Sequence, residues 1–194
     1  MTALPPAVSV NRYRSEPVWW SVRRVRRGQV PAGLRSWLLE TPSLTQGVIA
    51  ACGGRFRVRV LAQEWTRPMP NECRRLGIRP SARALVRQVQ LLCDDVPWVY
   101  ARTVIPRATL RGRARRLAWL GSRSLGATLF ADRAMRRSPL ELARLTPRDS
   151  LHARIATLGV NDRVLWGRRS IFTLANKPLL VSEIFLPAIA EDPF

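Results

Sequence analysis

The sequence predicts an α+β fold: a single domain in which short helices join and cover a six-stranded antiparallel sheet. Three observations lead there. Period-two runs of apolar and β-branched residues recur six times, and most are separated from the next by turn residues. Helix-length segments with capping residues and an apolar stripe lie among them, as expected of helices packed on an antiparallel sheet. The chain has 194 residues, 46% of them hydrophobic with seven Trp, which is enough for one sizeable core.

Residues 1 to about 28 mix Pro, Arg and small residues without periodicity. An extended or poorly ordered arm is therefore expected over 1–29, ahead of the domain at 30–194, with Trp19 and Trp20 able to pack back onto it. Pro31 suits the first turn of a helix running through Trp37 and Glu40, with Leu34, Trp37 and Leu38 on one face, and Thr41 and Pro42 break it. Ser43 can cap a second helix over Leu44, Val48, Ile49 and Cys52, which Gly53 and Gly54 would end as left-handed caps. The two form a helical hairpin.

Arg55, Arg57 and Arg59 alternate with Phe56, Val58 and Val60, which marks a strand over 55–64 with one wet face. A loop rich in Pro and polar residues is expected over 66–80. Strands at 84–93 and 97–105 make a hairpin around Asp94 and Asp95. A basic amphipathic helix over 108–120 turns Leu110, Leu117 and Leu120 inward and ends at Gly121. Ser124 can cap a short helix through Phe130, whose first turn, at Leu125 and Gly126, leaves backbone N–H groups free for an anion or oxygen. A short strand at 140–145 and a short helix or loop at 149–159 follow. The last hairpin joins 164–174 to 179–186 around Asn176 and Lys177.

The formal charge of +20 is nearly all arginine, Lys177 being the only lysine. Arginine spread this evenly reflects biased coding as readily as a basic partner. Clusters at Arg23, Arg24, Arg26 and Arg27, at Arg111, Arg113, Arg115 and Arg116, and at Arg133, Arg136 and Arg137 could touch phosphate. No helix-turn-helix, zinc-finger or RNP motif accompanies them, and aromatics are not interleaved, so no nucleic-acid partner is expected. Cys52, Cys73 and Cys93 are odd in number and lack a CxxC pair, and His152 is the sole histidine. That argues against a disulfide framework or a zinc site and for a reducing compartment. No segment approaches the ~18 apolar residues of a spanning helix, so a soluble, cytoplasmic protein without stable membrane insertion is expected.

Two charged residues stand out. Glu183 lies in LLVSEIFLP, where both strand faces are largely apolar, and Arg87 lies in ALVRQVQLL, sharing a face with Leu85, Val89 and Leu91. An ionised group removed from water needs a partner, a shifted pKa or a polar cavity. Either the two form a buried ion pair that holds strands together, or they face one cavity, Arg87 gripping a ligand carboxylate and Glu183 meeting a hydroxyl. Spacing alone does not choose, and an exposed Glu on an edge strand is a third possibility.

The stretches RSWLLETPSLT, VRQVQLL, PWVYARTVIP, LGSRSLGATLF, LWGRRSIF and NKPLLVSEIFLP resemble, in that order, the chorismate pyruvate-lyase family, which makes 4-hydroxybenzoate for ubiquinone synthesis. The resemblance covers about residues 30–187 and is most specific in LWGRRS and KPLL…E.FLP. It implies a six-stranded sheet with the product buried beneath two helical flaps, and neither metal nor organic cofactor. It implies that Arg87 binds the ring carboxylate, that Leu44 and Leu125 contact the ligand mainly through backbone atoms, and that Glu183 lies near the ligand hydroxyl. Arg102 matches the arginine of the family's GRTV.P motif and is expected near the enolpyruvyl carboxylate; Ala101 stands where glycine is usual. The expected catalytic residues are thus Glu183, Arg87 and Arg102, in a monomer that takes chorismate as substrate. Bacterial regulators use a ligand-sensing module that looks like this fold, which is the rival expectation. The first 30 residues are too short and too Pro-rich for the winged helix such regulators carry.

Overall fold

The computed structural model describes residues 15–160 and 164–190. Within them lies one antiparallel sheet in the order β1-β6-β7-β8-β4-β3-β2, with β5 paired to β7. The six expected strands are present as β2 (Phe56–Thr66), β3 (Ala84–Cys93), β4 (Val96–Pro106), β6 (Glu141–Leu145), β7 (Leu165–Leu174) and β8 (Lys177–Phe185). Two more correct the expected count to eight: β1 (Trp20–Ser21) and β5 (Arg136–Arg137). Each has two residues, too few for any alternation to register in the sequence.

The helices are α1 (Leu44–Ala51), α2 (Pro70–Leu76), α3 (Leu125–Phe130), α4 (Ser150–Ala156) and α5 (Pro187–Ala190), with a 3₁₀ segment at Gly112–Trp119. On one face of the sheet, Trp37, Leu38, Leu44 and Val48 pack on Val89, Leu91, Val99 and Phe185, and Leu117 and Leu129 pack on Leu85, Phe172 and Val181. On the other face, Leu151 and Ile155 of α4 meet Tyr100, Leu165 and Ile184, while Leu76 of α2 meets Val86, Val104 and Leu180. Both faces of the central strands are therefore covered. Among the described residues no helix is long and apolar enough to cross a membrane.

Several local expectations change. The segment 66–80 is not all loop, because Pro70 opens α2, Glu72 accepts a hydrogen bond from Met69 N at 2.8 Å, and Gly77 ends the helix at φ 66°. The helix expected over 31–40 is a 3₁₀ turn at Ala32–Leu34 followed by a π turn at Ser36–Glu40, although Leu34, Trp37 and Leu38 are buried as expected. Ser43 precedes α1, but its hydroxyl is buried and caps nothing. Gly53 and Gly54 are not left-handed, and α1 exits through Cys52 at φ −70°, ψ 96°. Gly54 serves close approach instead, since a Cβ there would collide with the Asp94 carboxylate. The last turn centres on Ala175 and Asn176, both at positive φ, and Lys177 already belongs to β8.

Cys52 and Cys93 form a disulfide, which overturns the expectation of unpaired thiols and removes its support for a reducing compartment. The cause is strand register. Phe56 opens β2 directly opposite Cys93 at the end of β3, so a cysteine four residues earlier returns to within 5.6 Å, Cα to Cα. Sequence separation of 41 residues concealed this. Cys73 remains a buried thiol, its pKa pushed up by burial and then by Glu72 and Glu16. Residues 1–14 of the expected arm lie outside the described residues. From Ser15, whose backbone N bonds Arg148 O at 3.0 Å, the chain lies on the body through β1.

Candidate active site

A cavity lies between the sheet and the helices of one face. Val58, Arg87, Val89, Ala101, Thr103, Phe172, Val181 and Glu183 form its floor, and Pro42, Leu44, Thr45, Leu125, Gly126 and Phe130 its roof. Water-sized centres fill only about 40 Å³ of it, against the ~10–15 Å³ that one water centre needs. The space is small. Thr45 and Ser124 hydroxyls meet at 2.8 Å, which joins α1 to α3. Gly126 permits that approach, since a Cβ there would sit 2.8 Å from the Thr45 hydroxyl. Ser124 also accepts from Ala127 N, so it caps α3 as the sequence predicts.

Strand register sets the floor. Arg87 faces Gln63 on β2 and Thr103 on β4, while Ala101 lies between Val89 on β3 and Glu183 on β8. A bulge between Val60 and Ala62 brings Gln63 opposite Arg87. Arg87 donates to Gln63 Oε1 at 3.1 Å and to the carbonyl of Gly121 at 2.8 Å. Ion pairs among the described residues leave it out, and burial lowers its pKa. A desolvated guanidinium with only neutral partners is a receptor for an anion.

Glu183 has a different partner from the one the ion-pair alternative named. Arg168 Nε donates to Glu183 Oε2 at 2.7 Å, and Arg168 Nη1 donates to the carbonyls of Trp37 and Thr41, each at 2.7 Å. Arg168 is fully buried, whereas the Glu183 side chain keeps 17% of its exposure and lines the cavity. Arg87 and Glu183 are thus cavity residues on separate strands and not a pair. A second arginine, Arg137 on β5, also lines the space. Its Nε donates to Ser170 Oγ at 2.8 Å, and its guanidinium lies 5.1 Å from the Phe172 ring centroid.

Leu44, Arg87, Leu125 and Glu183 all line this cavity, so four of the five expected site residues come together. Arg102 does not. Its Nε and Nη2 bind the two oxygens of Glu72 at 2.8 and 3.1 Å, on the opposite face under α2. Burial alone would lower its pKa, but Glu72, aided by Tyr100, outweighs that and raises it. The reason is parity: Arg87, Thr103 and Glu183 point to one side and Arg102 to the other. Arg168 and Arg137 were missed. Arg168 was visible in LWGRRS, where adjacent arginines must serve opposite faces; Arg169 duly turns away to Glu141 at 2.6 Å and Asn71 at 2.9 Å. Arg137 sits on a two-residue strand with no periodic signal. Among the described residues no group of three His, Cys, Asp or Glu side chains converges as metal ligands would.

Solved structures share the fold. The effector domain of PhnF from Mycobacterium smegmatis superposes with a TM-score of 0.56 at 18% identity, covering 75% of this chain and 89% of that one. Sequence relatives are much nearer. A probable chorismate pyruvate-lyase of Aromatoleum aromaticum is 43% identical over 185 residues, covering 94% of this chain and 99% of its own length. Those of Methylococcus capsulatus and Pseudomonas aeruginosa (strain UCBPP-PA14) are 46% and 38% identical, covering 82% and 92% of this chain and 98% and 96% of their own lengths. The chorismate lyase family model matches residues 17–192, a span that holds every residue of the cavity, and the chain therefore belongs to the chorismate lyase family.

Proposed function

We propose that this chain is a chorismate pyruvate-lyase, converting chorismate to 4-hydroxybenzoate and pyruvate, the product serving ubiquinone synthesis. The observation that carries the reading is the pairing pattern of the cavity. Arg87 has carbonyl and amide partners but no carboxylate, while Glu183 is held by an arginine behind it and faces the open space. Arg87 takes the ring carboxylate in a fork, and the backbones of Leu44 and Leu125 support the ligand from the roof. Glu183 Oε2 is bound by Arg168, which leaves Oε1 for the hydroxyl of the ring.

The reaction breaks the bond between the ring carbon and the enolpyruvyl oxygen. The hydrogen on the hydroxyl-bearing carbon is lost, the enolpyruvyl methylene gains one, and the ring becomes aromatic. Atoms and electrons balance without a redox partner. Aromatisation drives the step, so the cavity's task is to hold a reactive conformer and exclude water. The apolar floor of Val89, Ala101 and Val181 suits that task.

Incubation with chorismate should yield pyruvate, followed by lactate dehydrogenase coupling, and an equal amount of 4-hydroxybenzoate, followed by chromatography. Binding of 4-hydroxybenzoate with no pyruvate would favour instead a ligand-sensing domain, the reading that the PhnF-like fold supports. Glu183→Gln should keep the fold and most of the product affinity while lowering kcat, because the amide accepts a hydrogen bond but is no base. Unchanged turnover across the pH range would make Glu183 only a wall of the pocket.

A further inference from the structure

The chamber carries more positive charge than one carboxylate needs. Three guanidiniums, Arg87, Arg137 and Arg168, adjoin it against the single carboxylate of Glu183, which leaves a surplus of two. Arg168 is committed to Glu183 and two flap carbonyls. Arg87 and Arg137 both lack an ion-pair partner among the described residues.

We propose that Arg137 is the receptor for a second carboxylate, so that the site selects ring dicarboxylates over ring monocarboxylates. The inference rests on the lyase reading for the ligand's orientation. With the ring carboxylate on Arg87 and the hydroxyl on Glu183, the carbon bearing the enolpyruvyl ether is next to the hydroxyl-bearing carbon. The second carboxylate must then lie at the Glu183 end of the cavity. Arg137 occupies that end: it pairs in register with Phe172, its guanidinium lies over the Phe172 and Phe130 rings at 5.1 and 6.0 Å from their centroids, and it feels the charges of Glu183 and Arg168. Its existing partners are weak competitors for a carboxylate, being the Ser170 hydroxyl and the Pro42 carbonyl. Arg102, the residue that sequence reasoning chose for this task, is separated from the cavity by the sheet and saturated by Glu72. The product keeps only the ring carboxylate, so Arg137 distinguishes substrate from product.

The test compares wild type, Arg137→Gln, Arg137→Lys and Arg87→Gln by calorimetric titration. The two ligands are 4-hydroxybenzoate and the stable dicarboxylate 3-(1-carboxyethoxy)-4-hydroxybenzoate, with chorismate kinetics alongside. Arg137→Gln should weaken the dicarboxylate and raise KM for chorismate by about 30-fold or more, with 4-hydroxybenzoate changed less than about threefold. Arg137→Lys should recover part of the loss, and Arg87→Gln should weaken both ligands. Equal loss for both ligands in Arg137→Gln, or no loss for either, overturns the proposal. Should Arg137→Gln fail to fold, the ligand ratio in Arg137→Lys decides: an unchanged ratio overturns it. A wild type that binds both ring acids but releases no pyruvate would refute the lyase reading and leave the selectivity test standing. A wild type that binds neither overturns both.

Discussion

Two buried arginine–glutamate pairs sit on opposite faces of the sheet, Arg168 with Glu183 and Arg102 with Glu72, and only the first adjoins the cavity. The second pair is bidentate and dry, so removing one partner strands a charge. Glu72→Ala should destabilise the fold by about 3–5 kcal/mol in urea titration, with near-normal turnover from the protein that stays folded. Loss of turnover at unchanged stability would instead tie Glu72 to the chemistry. At this scale Arg87 and Glu183 were legible because each interrupts an apolar strand face. Their partners were not, because a partner depends on register. A turn placed on Asn176 and Lys177 sets Glu183 opposite Ser170, whereas the observed turn at Ala175 and Asn176 sets it opposite Arg168.

The elements that roof the cavity are α1 and α3, each short and each held by few polar ties: Thr45 to Ser124, Arg168 to Trp37 and Thr41, and Arg137 to Pro42. Short helices with few ties open at low cost. Amide exchange over 44–50 and 125–130 should slow when 4-hydroxybenzoate saturates the site. Unchanged exchange at confirmed saturation would mean that these helices are fixed walls and that the ligand enters elsewhere. The six longer strands were legible from alternation and the second roof helix from Ser124 and Gly121, whereas Ser43 marked the start of the first without capping it. The 66–80 segment was not, because Pro70 and Gly77 read as loop residues until they are seen as the two ends of α2.

Across the whole molecule, the Cys52–Cys93 bond closes a ring around β2, α2 and β3 and anchors the last turn of a roof helix to the sheet. A loop of 41 residues restricts the unfolded chain enough to contribute about 4 kcal/mol. The Cys52→Ser/Cys93→Ser variant should therefore unfold at lower urea concentration, its extrapolated stability reduced by roughly that amount. Equal midpoints for the parent and the double variant would mean that the bond stores no stability. The excess arginine is partly explained at this scale, since Arg87, Arg102, Arg137, Arg168 and Arg169 are each seated in a pocket or network. That use was hidden by composition, which counts charges without their faces.

The fork of Arg168 links the roof to the cavity carboxylate thermodynamically. One guanidinium holds the cavity-facing carboxylate through Nε and the carbonyls of Trp37 and Thr41 through Nη1, so lifting the roof strips two acceptors from a buried cation. Anything that steadies Glu183 then also steadies the closed roof, and by reciprocity a loosened roof weakens whatever Glu183 holds by the same factor. A substitution at Trp37 or Thr41 that loosens the closed roof should on this account also weaken the grip on the product.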